Sequence, residues 1–245
     1  MPRAMRSPVE ATAEQAKANV FSNVRKLQAP PIKVDGLALN ARLKMDGLKL
    51  LNKITPASVP VAFFDPQYRG ILDKMNYGNE GQARGRARCE LAQMDGAKIG
   101  KFVSAIDRML IPSGHLFLWA DKYHLCTDFS VWIKGTGLEV VDMLTWHKDR
   151  MGMGYRTRRT AEYLIILQKL PRRAKGVWTI HNIPDVWTEK AQKGTHAKPI
   201  DLQAELIAAT TKIGDLVVDP AAGSFSVLEA CKIRGRNFLG CDLNG

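Results

Sequence analysis

Two short apolar runs organise the polarity pattern of this chain. Val59 to Phe64 and Leu216 to Val218 carry no polar side chain, and each leads directly into an Asp-Pro pair, Asp65-Pro66 and Asp219-Pro220. Runs of this length without alternation read as strands buried on both faces, the kind found in parallel sheets. The other segments alternate between strand and helix patterns. Ala41 to Met45 reads as a short strand ended by Asp46, and Leu48, Leu50, Leu51 and Ile54 then share a helix face. Ile99 to Leu110 has helical spacing, Pro112-Ser113-Gly114 reads as a turn, and His115 to Ala120 as a strand. A helix near Leu125 to Lys134 precedes strands at Leu138 to Trp146 and Tyr163 to Leu167. Leu202, Leu206 and Ile207 follow Lys198-Pro199 on a helix, as Val227, Leu228, Ala230 and Cys231 follow the second Asp-Pro turn. Asn237 to Cys241 is a last strand, ending in Asp242. Strands alternating with helices predict an α/β domain on a mostly parallel sheet.

In such sheets ligands bind beyond the carboxyl ends of the strands. Asp65 offers a carboxylate there. Pro66 has no N–H and a fixed φ, so its carbonyl is a second, rigid acceptor. Gln67 follows, and Tyr68 supplies a plane on which a base can stack. Two acceptors beside an aromatic ring suit an exocyclic amino group; the bland alternative is an ordinary strand-to-loop turn. Asp219-Pro220-Ala221-Ala222-Gly223-Ser224, between a buried strand and a helix, is a seat for a cofactor at a helix N-terminus. Asp242 is placed to accept from ribose hydroxyls. Asp46 reads equally well as a helix cap.

On these two motifs and their order, the chain resembles the permuted β class of amino-group DNA methyltransferases over roughly residues 40 to 245. In that class a catalytic Asp-Pro-Pro-Tyr motif comes first and a cofactor-binding Asp-Pro-Phe-x-Gly-Ser-Gly motif comes last. Methyltransferases of glutamine side chains or RNA usually carry Asn first and the cofactor turn before it, an order not found here. The resemblance implies a single Rossmann-like domain with a seven-stranded, mostly parallel sheet and helices on both faces. It implies S-adenosylmethionine as methyl donor, bound by Asp46, Lys198, Asp219 to Ser224 and Asp242. It further implies transfer to the N6 amino group of a flipped adenine held by Asp65, Pro66, Gln67 and Tyr68. An Asp at the first motif position resembles the adenine enzymes, whereas those acting on the cytosine N4 amino group usually carry Ser. Two departures stand out: Gln67 replaces the second Pro, and Phe225 replaces a Gly. The alternatives are an N4-cytosine enzyme and a catalytically impaired DNA-binding protein of the same fold.

Charge adds a partner. The formal net charge of +12 over 245 residues points to a polyanion. Arg84, Arg86 and Arg88 lie in a Gly-rich loop at 76–95. Lys148, Arg150, Tyr155, Arg156, Arg158 and Arg159 crowd a second at 147–160. Both are suited to phosphate contact. The expected organisation is an N-terminal arm (1–36), opened by the capping pattern Ser7-Pro8-Val9-Glu10, and a catalytic domain (37–245). A target-recognition insert at 170–195 is short for the class, so a short or relaxed recognition sequence is expected. The four cysteines show no metal-type spacing, and no apolar run is long enough to span a membrane. A cytoplasmic protein acting at the nucleoid of a bacterial or phage-infected cell is expected, with room for a homodimer.

Overall fold

The computed structural model describes residues 36–67, 93–127, 129–152, 157–190 and 197–245. Residues 1–35 of the arm, Tyr68, Arg84, Arg86, Arg88, Tyr155 and Arg156 lie outside them. The chain runs through β1 (Arg42–Lys44), α1 (Gly47–Asn52), β2 (Val59–Phe64), α2 (Gly96–Met109) and β3 (Leu110–Ala120). It continues through α3 (Lys122–Thr127), a 3-10 turn (Phe129–Trp132), β4 (Leu138–His147), β5 (Ala161–Lys169) and β6 (Val186–Thr188). Helix α4 (Ile200–Thr210), β7 (Leu216–Asp219), α5 (Ser226–Arg234) and β8 (Asn237–Asp242) complete it.

The strands form one sheet in the order β1-β8-β7-β2-β3-β5-β4-β6. Strand β5 pairs antiparallel with β3 and β4, and every other pair is parallel. The parallel α/β expectation is met, but eight strands are described where seven were expected. The addition is β6, a three-residue edge strand on β4 with Trp146 opposite Trp187. It is too short to print a period-two pattern.

Alternation along the central strands separates two cores. Ala62 and Phe64 of β2 face α1 and α2, where Phe64 stacks on Phe102 with centroids 5.1 Å apart. Val61 and Phe63 face α4 and α5, and Phe63 lies 4.8 Å from Phe117 of β3. Each fully buried aromatic of this kind stabilises the fold by about 1.5–3 kcal/mol. Both faces of β2 are thereby closed, which is why its sequence shows no polar alternation.

Two local expectations change. Pro112-Ser113-Gly114 is not a turn between elements but lies within β3, where the pairing with β2 shifts register and Ser113 adopts φ +63°. A bulge absorbs the Pro and the positive φ without ending the strand. The helix expected over Leu125 to Lys134 is instead the short α3 followed by the 3-10 turn, with Trp132 buried beneath.

Helix α1 starts in close contact with the second motif. Asp46 caps it, its Oδ1 accepting from the Lys49 amide at 3.1 Å, and a Cβ on Gly47 would stand 2.1 Å from the Pro220 carbonyl oxygen. Overpacking against backbone costs about 1–3 kcal/mol. Gly47→Ala should therefore lower the unfolding midpoint by several degrees, given roughly 2–4 °C per kcal/mol at this size. An unchanged midpoint in thermal unfolding would show that α1 does not need this approach.

Candidate active site

Four neighbouring strands, β1, β8, β7 and β2, run parallel and end at one edge of the sheet. That edge gathers the acids that end or follow them: Asp46, Asp242, Asp219 and Asp65. Two clefts open there and meet at Asp65 and Ala221. The larger, of about 630 Å³, is lined by Asp46, Asp65, Gln67, Phe102, Pro220 and Asp242. The smaller, of about 320 Å³, is lined by Asp65, Trp119, Lys198, Gln203, Asp219 and Ser224.

Asp65 leaves β2 on the face of Val61 and Phe63, towards α4. Lys198, two residues before α4, reaches its Oδ2 at 2.7 Å and Glu162 Oε2 at 3.0 Å. Glu162, near the start of β5, also pairs through Oε1 with Lys148, just beyond β4. Burial holds the Asp65 carboxyl above its ordinary value, against the pull of Lys198. Burial also pushes Glu162 upward, but Lys198 and Lys148 outweigh it and bring that carboxyl down to about 2. For Lys198, burial favours the neutral amine, yet Asp65 and Glu162 raise its pKa and keep it charged.

Asp219 has no such cation in contact among the described residues. Its Oδ1 accepts from the Ala221 amide at 3.1 Å, but burial, with Asp65 and Asp242 nearby, pushes it up to about 8. The turn beyond it needs a left-handed residue, which Gly223 supplies at φ +50°, with no atom within 4 Å of where a Cβ would stand. Phe225 is also left-handed, at φ +61°. Its ring turns into the core against Phe238, away from the clefts, so the departure from Gly leaves them open. Gln67 likewise keeps its segment in place, its carbonyl accepting from the Met94 amide at 2.7 Å.

The structure brings together Asp46, Asp65, Pro66, Gln67, Lys198, Asp219 to Ser224 and Asp242 at this edge. Lys148 joins them through Glu162 rather than standing free towards solvent. Arg150 and Arg158 are exposed, and Arg159 is half-buried on the β4–β5 connection. Three residues were not foreseen: Trp119, Glu162 and Gln203. Trp119 Nε1 and Gln203 Oε1 are buried without a partner among the described residues, and both side chains line the smaller cleft. For Glu162 a signal was available, since it is in phase with Leu164 and Ile166, which face α4. Residues 170–190 are largely exposed and touch the domain through Trp178, Ile183, Trp187 and Glu189. Trp178 lies edge-on to Phe117, and Glu189 accepts from the amides of Asp201 and Leu202, capping α4 where Pro199 has no capping side chain.

Residues 97–245 match the DNA methylase family of the N6/N4 type, and the chain belongs to that family. It is 55% identical to the Type II methyltransferase M.HhaII of Haemophilus parahaemolyticus, over 84% of this chain and 91% of that protein. The Type II methyltransferase M2.DpnII of Streptococcus pneumoniae is 26% identical over 80% of this chain and 82% of its own. Among solved structures, M1.HpyAVI in complex with S-adenosylmethionine superposes with TM-score 0.58 at 17% identity, covering 81% of this chain and 90% of that one. The cytosine-N4-specific PvuII DNA methyltransferase gives 0.63 at 14%, covering 84% and 82%. Enzymes of this family take their methyl group from S-adenosylmethionine. The residues present fit that group: a donor on Trp119 and an acceptor on Gln203 that have no partner among the described residues face one cleft together with the buried Asp219 carboxyl, in the turn that Gly223 leaves open.

Asp219 carries a stability consequence. A carboxyl whose folded pKa is raised stabilises fully below its unfolded value, near 3.8, and loses that contribution as pH rises towards about 8. Asp219→Asn keeps the acceptor oxygen and removes the titration. Its unfolding temperature should match wild type near pH 4 and exceed it increasingly up to pH 8. A difference that does not grow with pH would show that Asp219 is not strained by burial.

Proposed function

We propose that the chain transfers a methyl group from S-adenosylmethionine to the N6 amino group of adenine in DNA. The observation that carries this reading is the placement of Asp65 where the two clefts meet, with Pro66 directly after it. Lys198 occupies Asp65 Oδ2 and leaves Oδ1 for another donor. Asp65 Oδ1 and the Pro66 carbonyl then accept the two amino hydrogens, with Tyr68 stacking on the base. Held this way, the nitrogen becomes tetrahedral and its lone pair is aimed, a gain of orientation rather than of basicity. The developing positive charge on nitrogen is stabilised by Asp65, and the same carboxylate is placed to receive the proton that nitrogen sheds.

Asp219, Trp119 and Gln203 are assigned to the polar tail of the donor, and Asp242 to its ribose. Asp46 lines the larger cleft beside Asp242, where the adenine of the donor is assigned. S-adenosylmethionine supplies an activated methyl group on a cationic sulfur. The inward turn of Phe225 and the anchored Gln67 backbone favour an active enzyme over an impaired relative. Arg84, Arg86, Arg88, Arg150, Tyr155, Arg156, Arg158 and Arg159 are assigned to the DNA backbone. Because residues 170–195 form only a short insert, a short or relaxed target sequence follows, with binding that weakens steeply as salt rises.

Purified protein incubated with labelled S-adenosylmethionine and unmodified DNA should yield N6-methyladenine on mapping. Label in N4-methylcytosine would replace the adenine assignment, and modification at a single long site would remove the relaxed-specificity one. Asp65→Ala should abolish transfer while S-adenosylmethionine affinity, by calorimetry, stays near wild type. Asp242→Ala should weaken that affinity by about 1.5–3 kcal/mol, roughly ten- to a hundredfold in Kd. Unchanged binding would take Asp242 out of the site.

A further inference from the structure

Four charged side chains form an unbroken alternating chain, Asp65, Lys198, Glu162 and Lys148, from the reaction edge to the basic segment after β4. Two tryptophans hold the ammonium groups in place. Lys198 Nζ stands 5.1 Å over the Trp119 ring and Lys148 Nζ 5.1 Å over that of Trp146. The two rings meet edge to face at 6.0 Å. Each charge sits on a strand, directly after one, or on the approach to α4, so the charges are spaced by the fold.

This arrangement poses a problem for the reaction. An ammonium 2.7 Å from Asp65 opposes the positive charge that grows on the amino nitrogen. Its presence is tolerable only if another anion shares it. The four groups sum to zero charge; without Lys148 they sum to minus one, which favours that developing charge.

We propose that Glu162 is a positioning residue for methyl transfer: it shares the Lys198 ammonium so that Asp65 is oriented without being neutralised. Lys148 sets the balance from the DNA side. When a backbone phosphate draws Lys148 off Glu162, the site gains the net negative charge that the transition state needs. This inference rests on the methyltransferase reading above and adds a coupling between backbone engagement and the reacting edge.

The groups that face Asp65 are Lys198 ahead of α4, Glu162 on β5, Lys148 after β4 and Asp219 on β7. Removing an anion and removing a cation from this set must move the acid limb of activity in opposite directions. The test is the pH dependence of methylation of unmodified DNA by wild type, Glu162→Gln, Glu162→Asp and Lys148→Gln. Glu162→Gln should lower the saturated rate about tenfold or more, as expected when a preorganised charge is lost. Its S-adenosylmethionine affinity should hold, and its acid limb should move to lower pH by about 0.5–1.5 units, the scale of one nearby, solvent-screened charge. Glu162→Asp should restore part of the rate. Lys148→Gln should move the acid limb of kcat/KM, which reports the free enzyme, to higher pH, while the limb of kcat, which reports the DNA complex, stays in place. Acid limbs of kcat/KM that do not move, or that move the same way in both variants, overturn the proposal. A Lys148→Gln shift equal in kcat and kcat/KM overturns the hand-over to phosphate. Should Glu162→Gln fail to fold, the two Lys148→Gln profiles still decide. Wild-type and Asp65→Ala controls separate this outcome from the parent reading: active wild type, dead Asp65→Ala and a normal Glu162→Gln would sink the inference alone.

Discussion

The buried ammonium of Lys198 is the interaction on which the reaction edge depends. Parallel strands end their carboxyl termini together, and here β2, β7 and β8 end in or just before acids. Carboxylates gathered at a partly buried edge repel one another and resist ionisation. Lys198 relieves part of this by contacting Asp65 and Glu162 at once, and those two carboxylates in turn keep it charged despite burial. Asp219 lies outside that contact and is left raised to about 8. The two acids differ in electrostatic character: Asp65 is paired with Lys198, whereas Asp219 lies outside that ion pair and is raised by burial at a cost in stability.

Much of this was legible in the sequence, for identifiable reasons. Strands β2 and β7 are buried on both faces, so their apolar runs are uninterrupted, and Asp65 and Asp219 fall directly at their ends. The helix behind Lys198-Pro199 was equally clear, because Leu202, Leu206 and Ile207 lie on its buried side. Polarity patterns fail where an element is short or bent. Val186–Thr188 has three residues, and β3 carries Pro112 and a left-handed Ser113 through a register shift, which together imitate a turn.

The residues missed at the site share a different cause. Trp119 and Gln203 sit at positions that read as core, and only the tertiary structure shows their polar atoms unmatched beside a cleft. Glu162 reads as the polar start of a strand. Its meaning lies in phase: residues 162, 164 and 166 of β5, 144, 146 and 148 along β4, and 117 and 119 of β3 all face α4. A carboxylate in phase with a buried face, opposite a lysine in phase with the next strand, is a paired charge before it is a surface one.

The same reasoning explains why the segment after β5 matters although it touches neither cleft. Lys198 can bridge Asp65 and Glu162 only if the start of α4 is fixed, and Pro199 offers no side-chain cap. Glu189 supplies the missing acceptors to the first amides of α4, and its own position is set by Trp146, which donates to its carbonyl at 2.8 Å, and by Trp187, which donates to its carboxylate at 2.9 Å. Trp146 is also the ring beneath Lys148. One aromatic side chain therefore anchors both ammonium groups of the charge chain, the lysine on the basic segment directly and the other through the helix start that carries it. Displacing that ring would disturb both ammonium groups together, so the edge strand β6 and its flanks belong to the architecture of the reaction edge even without contacting a ligand.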